Sequence, residues 1–206
     1  MRNKGRLGLV RHGQTRANIE HVWHGRTDTE LTEQGHQQAA KLGRHFHHYM
    51  QPEVIYASPL QRARLTAQAI ADRFDLPVHI DPRLMEFDLG DWEGVTFESL
   101  QNADNVMEKL VCDPAFTAPN GESQNMVRKR MVAAIEELAH KHTGQNIVIV
   151  AHGVAIAIAL SQFLEGDSTH WPNYTKGNTA FSELCLRTNT LLSYNKMDHL
   201  DTGEDS

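Results

Sequence analysis

Two apolar runs in this chain end in the dipeptide His-Gly, and this repeated pattern constrains the fold more than any other feature. The first run closes with Arg11-His12-Gly13 and the second with Ala151-His152-Gly153. Short apolar runs bounded by glycine are typical of buried strands. Open α/β sheets place their functional residues at the carboxyl ends of such strands. The sequence therefore predicts that His12 and His152 lie close together at one edge of a single sheet.

The order of the other patterns indicates an α/β protein. Six segments have the apolar or alternating character of strands: residues 6–11, 54–57, 78–80, 147–151, 180–187 and 190–195. Four helical patterns lie between them, over residues 31–46, 58–74, 123–142 and 154–164. Thr32 and Ser123 are the predicted N-caps, and Pro59 is predicted at the first helical position. We therefore expect a three-layer α/β/α sandwich with a mostly parallel central sheet and a final hairpin.

The length of 206 residues suits one domain, which we place over residues 1–195. Residues 14–30 are polar and are predicted to form a loop. Residues 82–122 are the least regular part of the chain, and we expect them to form a lid or a pocket wall. The acidic residues 196–206 are predicted to form a flexible tail.

Composition excludes several classes of protein. The net charge is −6, with no basic stripe, which argues against a nucleic-acid partner. Cys112 and Cys185 have no CxxC partner, so neither a disulfide framework nor a thiolate metal site is expected. No apolar stretch reaches the length of a membrane span, and no signal peptide is recognisable, so we expect a cytoplasmic location. The oligomeric state is left open, with a homodimer as one alternative.

Arg11 and His12 are the strongest candidates for chemistry. A buried arginine at a strand end is costly unless it meets an anion, and a guanidinium matches phosphate well. A neutral imidazole beside it can attack phosphorus. The alternative is a structural histidine paired with a carboxylate. Arg62 falls in the first turn of a predicted helix, where anions are also favoured. Taken alone, an arginine such as Arg62 or Arg64 is more often a surface residue than a ligand-binding one.

The segment from Leu84 to Gly94 combines carboxylates with apolar and aromatic residues. Glu86 is flanked by Met85 and Phe87, and desolvation by such neighbours favours a protonated carboxyl that can act as a general acid. The same apolar residues, together with Leu89, Trp92 and Trp23, are predicted to contact the organic part of a substrate. The other acids of this segment, Asp88, Asp91 and Glu93, are interpreted as turn formers or exposed residues.

Two further interpretations remain open from the residues alone. His152 is compatible with a core histidine bonded to the backbone. His12, His152 and Glu86 together are also compatible with a zinc site of the His₂Glu type. Arg11 argues against zinc, because its positive charge would repel the metal.

Four motifs together resemble the histidine phosphatase superfamily, also called the phosphoglycerate mutase-like family. They occur in the family's order: residues 9–15 (LVRHGQT, with Asn18 following), 31–35 (LTEQG), 58–63 (SPLQRA) and 151–153 (AHG). The similarity extends from about residue 6 to residue 195. One departure is Gln14, where many members have glutamate.

The resemblance implies a role for each matching residue. His12 is expected to be the nucleophile that becomes phosphohistidine. Arg11, Arg62 and His152 are expected to bind the phosphoryl group, assisted by Asn18 and by the backbone near Gly153. Glu86 is expected to protonate the leaving oxygen and then to activate water. No cofactor or metal is implied.

Residues 84–94 resemble the phosphatase members of the family rather than the mutases. The sequence therefore predicts a metal-independent phosphatase that hydrolyses small phosphomonoesters. A phosphoglycerate mutase is the alternative within enzymes. A non-catalytic module that binds phosphorylated ligands or proteins is the alternative from another class, although it would be expected to lack His12 or Glu86.

Overall fold

A computed structural model describes residues 5–102, 106–185 and 187–201. The strands are β1 Arg6–Arg11, β2 Val54–Ala57, β3 Val78–Ile80, β4 Ile147–Ala151, β5 Phe181–Cys185 and β6 Thr190–Lys196. The α-helices are α1 Arg16–Ile19, α2 Glu33–His45, α3 Gln61–Ala71, α4 Phe97–Asn102, α5 Val106–Cys112, α6 Gln124–Lys141 and α7 Gly153–Glu165. Short 3₁₀ segments cover Phe46–His48, Pro82–Leu84, Gly90–Trp92, Ser168–Tyr174 and Asp198–Leu200.

The described strands form one sheet in the order β3-β2-β4-β1-β5-β6. The first four strands of this order run parallel, and β5 and β6 add an antiparallel hairpin. In the parallel pair β1 and β4, Arg11 lies opposite Ala151. Because each histidine follows directly on its strand, this register brings His12 and His152 to the same edge of the sheet at the same level.

Helices cover both faces of the sheet, so the predicted sandwich is confirmed. On one face α2 and α3 contribute fully buried residues such as Leu42 and Ile70. On the other face α6 and α7 contribute residues such as Met131 and Ile156. Burying one such side chain stabilises the fold by about 1.5–3 kcal/mol.

Two helix starts were predicted correctly from capping residues. The Thr32 hydroxyl accepts a hydrogen bond from the Gly35 N–H at 3.0 Å, and the Ser123 hydroxyl accepts one from the Met126 N–H at 3.3 Å. Each bond satisfies a backbone donor that the first helical turn leaves without a partner.

The prediction for Pro59 was wrong. Helix α3 begins at Gln61, and Leu60 is its extended N-cap. The Leu60 N–H bonds to the Ser58 hydroxyl at 3.3 Å, so residues 58–60 form a turn before the helix. The prediction of an unbroken loop over residues 14–30 was also wrong, because α1 lies within it.

The segment 82–122 is largely a packing element in the part that the structure describes. Its own apolar side chains are almost fully buried in the core, among them Leu84, Phe87, Leu89, Leu100 and Leu110. Residues 103–105 lie outside the described residues.

The predicted flexible tail was wrong for residues 196–201. They include the 3₁₀ segment Asp198–Leu200, and His199 is fully buried. A single buried histidine among acidic residues leaves no periodic apolar pattern, so the sequence did not reveal this anchor. Residues 202–206 lie outside the described residues. None of the helices in the described ranges is long and apolar enough to cross a membrane.

Candidate active site

A cavity of about 440 Å³ opens at the carboxyl edge of the sheet. Seven residues predicted for the site line this cavity: Arg11, His12, Asn18, Trp23, Arg62, Glu86 and Gly153. His152, the eighth, is fully buried against the His12 ring, with the ring centroids 5.2 Å apart. The fold thus gathers residues from five distant parts of the chain around one cavity.

His12 has the protonation state that a nucleophile needs. Its Nδ1 lies 2.7 Å from the Gly13 carbonyl, so Nδ1–H donates and Nε2 retains its lone pair. Burial lowers the pKa of His12 well below 6.5, and the positive charges of Arg62 and Arg11 lower it further. The imidazole is therefore neutral at neutral pH, with an unprotonated nitrogen available to attack an electrophile.

His152 is held as a second neutral imidazole. Its Nε2 lies 2.8 Å from the Ser58 hydroxyl, and its Nδ1 has no hydrogen-bond partner among the described residues. Burial lowers the pKa of His152 well below 6.5, and the positive charge of Arg62 adds to that shift. The hydroxyl of Ser58, which directly follows β2, holds the His152 ring in place. The sequence did not predict this role, because Ser58 was assigned to a helix start.

Arg11 places a guanidinium at the cavity wall. Its Nη1 donates to the Lys176 carbonyl, and its Nε has no hydrogen-bond partner in the part of the chain that the structure describes. A Cβ on Gly153 would lie only 3.3 Å from this Nε, so glycine leaves the guanidinium its space. Burial lowers the pKa of Arg11, although the Glu86 carboxylate opposes this shift. An anion in the cavity would replace the lost hydration.

Arg62 is the second residue of α3, and its guanidinium holds the loop 24–27. It donates to the carbonyls of Thr27 at 2.8 Å, of Gly25 at 2.9 Å and of His24 at 3.3 Å. These three bonds leave two of the five guanidinium N–H groups for a ligand. Arg62 therefore supports the cavity wall and is also a candidate hydrogen-bond donor to a bound anion.

Glu93 holds the same loop from the other side. Its carboxylate accepts N–H bonds from Gly25 at 2.9 Å, Arg26 at 2.8 Å and Thr27 at 3.1 Å. Burial raises the pKa of Glu93, but the bonds from Thr27 and Arg26 outweigh burial and the pKa is lowered. A Cβ on Gly25 would lie 1.9 Å from the Phe87 carbonyl oxygen, so only glycine fits. The interpretation of Glu93 as a turn former or exposed residue was wrong.

The surroundings of the Glu86 carboxyl are polar, contrary to the sequence-based expectation. It accepts hydrogen bonds from the N–H groups of Ala155 at 2.8 Å, Val154 at 3.1 Å and Phe87 at 2.9 Å. Two of these donors belong to the first turn of α7, where backbone N–H groups lack partners and the helix dipole favours negative charge. Glu86 thus caps the helix that begins beside the nucleophile.

The predicted apolar wall was assigned mostly to the wrong residues. Phe87 and Leu89 are fully buried core residues, and Trp92 packs against the same core. None of the three lines the cavity. Trp23, which was also predicted for this wall, does line the cavity, and the rest of its apolar part comes from Ala17, Val22, Val154 and Trp171.

Asn18 presents its amide group to the cavity. Its Oδ1 accepts hydrogen bonds from the Thr15 N–H and from Nδ2 of Asn178, both at 3.0 Å. The amide oxygen is thus engaged within the protein, which leaves the NH₂ group for a bound anion. Gln14 does not line the cavity, and its Oε1 accepts from the Thr32 hydroxyl at 2.9 Å.

Arg130 and Glu122 position the segment that carries Glu86. Arg130 donates to the carbonyls of Arg83 at 2.8 Å, Met85 at 2.5 Å and Glu86 at 2.9 Å. Its Nε donates to a Glu122 carboxylate oxygen at 2.8 Å. Sequence patterns did not reveal the role of Arg130, because its contacts with the backbone of residues 83–86 span more than forty residues.

The zinc alternative receives no support from the ligand geometry. No group of three or more His, Cys, Asp or Glu side chains suited to a metal ion occurs within residues 5–102, 106–185 and 187–201.

Comparison with known proteins identifies the family. The family model of the histidine phosphatase superfamily (branch 1) matches residues 7–195. The chain belongs to this superfamily. A glucosyl-3-phosphoglycerate phosphatase of Mycolicibacterium vanbaalenii is 36% identical over 81% of this chain and 77% of its own length. A probable phosphoglycerate mutase of Erwinia tasmaniensis is 35% identical over 76% of this chain and 73% of its own length.

Solved structures of the superfamily share the fold. A mutant phosphoserine phosphatase from Entamoeba histolytica, in complex with phosphoserine, superposes with a TM-score of 0.86. It is 33% identical, and the match covers 95% of this chain and 98% of that one.

Within this histidine phosphatase fold, Arg62→Ala is expected to lower kcat/KM by about 10²–10³, the usual effect of removing one donor that stabilises transition-state charge. Arg64→Ala is the matched control, since Arg64 lies on the same helix but is exposed. Steady-state kinetics of both folded variants measures the change in kcat/KM for each. Equal losses for the two variants would show that Arg62 does not act at the site.

The buried histidines also predict how stability depends on pH. The pKa values of His12, His152 and His199 are all lowered in the fold, so the unfolded chain binds more protons below pH 6.5. The free energy of unfolding is therefore expected to fall as the pH drops from 6.5 towards 5, by up to about 1.4 kcal/mol per pH unit for each histidine. Urea denaturation across this range measures the slope, and a flat profile would contradict the assignment.

Proposed function

We propose that this chain is a phosphatase that hydrolyses small phosphomonoesters through a phosphohistidine intermediate on His12. The observation that carries the proposal is a neutral His12 whose unprotonated Nε2 stands in a cavity walled by two guanidinium groups. Phosphoryl transfer depends mainly on positioning and on stabilising charge, and this arrangement supplies both.

In the first step the Nε2 lone pair of His12 attacks phosphorus while the bond from phosphorus to the ester oxygen breaks. Arg11, Arg62 and the Asn18 amide lie where the phosphoryl oxygens would be bound. The Glu86 carboxyl is proposed to protonate the leaving oxygen. The alcohol departs and phosphohistidine remains, so one difficult displacement becomes two easier ones.

In the second step a water molecule attacks the phosphohistidine. The Glu86 carboxylate takes a proton from this water, and the bond from phosphorus to Nε2 breaks. Inorganic phosphate leaves, and both His12 and Glu86 return to their starting states. His152 is in contact with the His12 ring, and we propose that its Nδ1 stabilises the transferring phosphoryl group.

The cavity is larger than a phosphate group and has room for an organic part of modest size. Its apolar residues favour a substrate with an aromatic or mixed surface over highly polar phosphoglycerate. A sugar phosphate, or a phosphate ester on the side chain of a nucleoside, is also a candidate substrate. The proposed partner is therefore a small phosphorylated molecule. The cytoplasmic location and the lack of a nucleic-acid or membrane partner stay predictions from the sequence, and the oligomeric state stays open, with a homodimer as one alternative.

A phosphoglycerate mutase is the second candidate, because a relative with that name matches this chain. A mutase must return the phosphoryl group to a second hydroxyl instead of to water. The apolar residues Val22, Val154 and Trp171 favour the phosphatase, whereas Lys176, which also lines the cavity, is a candidate partner for the carboxylate of phosphoglycerate.

Phosphate release from a panel of phosphomonoesters tests the proposal. We expect turnover of several substrates, retention of activity in EDTA because Arg11 and Arg62 supply positive charge, and inhibition by vanadate. Isomerisation of phosphoglycerate without phosphate release would favour the mutase. Phosphoester binding without either reaction would favour the non-catalytic module. Loss of activity on chelation that zinc restores would return the metal site to consideration.

A further inference from the structure

Thr179 adopts a backbone conformation that requires support. Its φ is +57°, in the left-handed region that β-branched residues avoid, and its side chain is fully buried. Such conformations persist only where surrounding contacts determine them. Thr179 lies on the turn just before β5, beside the end of β1.

A chain of hydrogen bonds reaches Thr179 from the carboxyl-terminal segment. Tyr49 donates its hydroxyl proton to Nδ1 of His199 at 3.1 Å. Nε2–H of His199 donates to the Thr179 hydroxyl at 2.8 Å, and that hydroxyl donates to the Asn178 carbonyl at 2.7 Å. Burial lowers the pKa of His199 to about 4, so the ring is neutral and can accept at one nitrogen while donating at the other.

The same turn contacts the backbone of the nucleophile. The Thr179 N–H donates to the His12 carbonyl at 3.2 Å, and Nδ2 of Asn178 donates to that carbonyl at 3.1 Å. Nδ2 of Asn178 also contacts Oδ1 of Asn18 at 3.0 Å. The position of this turn therefore sets the position of His12 and of one candidate phosphate-binding amide.

We infer that His199 is a positioning residue, which fixes Thr179 and through it the nucleophile His12 and the amide of Asn18. This inference rests on the proposed function and deepens it, because it makes the carboxyl-terminal segment part of the active-site support. Neither His199 nor Thr179 lines the cavity, so their effect is transmitted through Asn178 and the backbone.

The test compares His199→Phe with wild type, because phenylalanine keeps the volume but makes neither hydrogen bond. We expect kcat with nitrophenyl phosphate to fall about tenfold to a hundredfold, because small misplacements of reacting groups have effects of this size. The dissociation constant of vanadate, measured by calorimetry, should rise, while KM changes less than kcat. His199→Gln, which retains an N–H donor towards Thr179, should recover much of the loss.

His142→Phe is the matched control. His142 also bonds through Nε2 to a tyrosine hydroxyl, that of Tyr56, at 3.0 Å, but it lies after α6 at the opposite edge of the sheet. Its loss is expected to lower stability without changing kcat. Wild-type kcat and vanadate affinity in a folded His199→Phe protein would overturn the inference, as would equal losses in the two phenylalanine variants.

A double-mutant cycle separates positioning from a general loss of stability. Glycine adopts the left-handed conformation without strain, so Thr179→Gly removes the need for support by His199. In that background, His199→Phe should lower kcat much less than it does alone. Additive losses would overturn the inference.

The two proposals fail in different ways. If wild type releases no phosphate from any substrate, the proposed function is overturned, and the vanadate affinities of the same variants decide the inference alone. If wild type is active and His199→Phe matches it, only the inference is overturned. Where His199→Phe does not fold, the smaller substitution His199→Leu, which also makes neither hydrogen bond, takes its place in the comparison and in the cycle.

Discussion

The His12→Ala variant is expected to lose turnover by a factor on the order of 10⁴ or more while retaining the fold, because it lacks the imidazole that we propose to accept the phosphoryl group. His12 is a nearly buried side chain whose ring makes a local hydrogen bond to Gly13, so alanine leaves a small cavity without breaking a long-range network. Steady-state kinetics with a nitrophenyl phosphate, together with circular dichroism, measures both effects.

His36→Ala is the control for this experiment, because His36 is an exposed histidine on α2. Its turnover should match that of wild type. A folded His12→Ala protein with turnover near that of wild type would remove His12 from the role of nucleophile.

The second large effect is expected for Glu86→Gln, and its size should depend on the leaving group. With alkyl phosphates, whose leaving oxygen needs a proton, the rate of phosphohistidine formation should fall by about 10²–10⁴ in a single turnover. With nitrophenyl phosphate, whose leaving group is stable as an anion, the loss in this first step, followed as the burst of nitrophenol release, should be much smaller. The carboxyl also caps α7, so the variant is expected to lose about 1 kcal/mol of stability as well.

Asp91→Asn is the matched control for Glu86, since Asp91 is an exposed acid of the same segment and bonds to Asn120. It should show no dependence on the leaving group. Equal losses on both classes of substrate in Glu86→Gln would remove Glu86 from the role of general acid.

The sequence predicted the sheet and the meeting of His12 with His152 because both depend on local patterns. Apolar runs ending in His-Gly identify buried strands, and the parallel register of β1 with β4 then brings their ends together. The caps Thr32 and Ser123 were predictable for the same reason, since each cap hydroxyl and the N–H group that donates to it lie three residues apart.

Long-range polar contacts were not predictable from these patterns. Glu93 looks like an exposed turn acid, yet it binds the N–H groups of a loop almost seventy residues away. The sequence also could not distinguish an apolar residue that lines a cavity from one that fills the core. Phe87 and Leu89 were therefore placed at the substrate, while Trp171, far along the chain, lines the cavity instead.

His199 shows the same limit at the carboxyl end. Acidic neighbours gave the segment the composition of a solvated tail, but one buried imidazole with partners on two other elements anchors it. Mean hydropathy is averaged over the whole segment, so it does not reveal one buried side chain that is held by specific hydrogen bonds.

The covalent intermediate is tested most directly by rapid acid-free quenching of wild-type enzyme during turnover, followed by mass spectrometry of its peptides. We expect one added phosphoryl group on His12, stable in base and labile in acid, that is absent from the His12→Ala protein. A wild-type enzyme that turns over substrate while His12 carries no phosphoryl group, or that carries it on another residue, would rule out the phosphohistidine mechanism on His12.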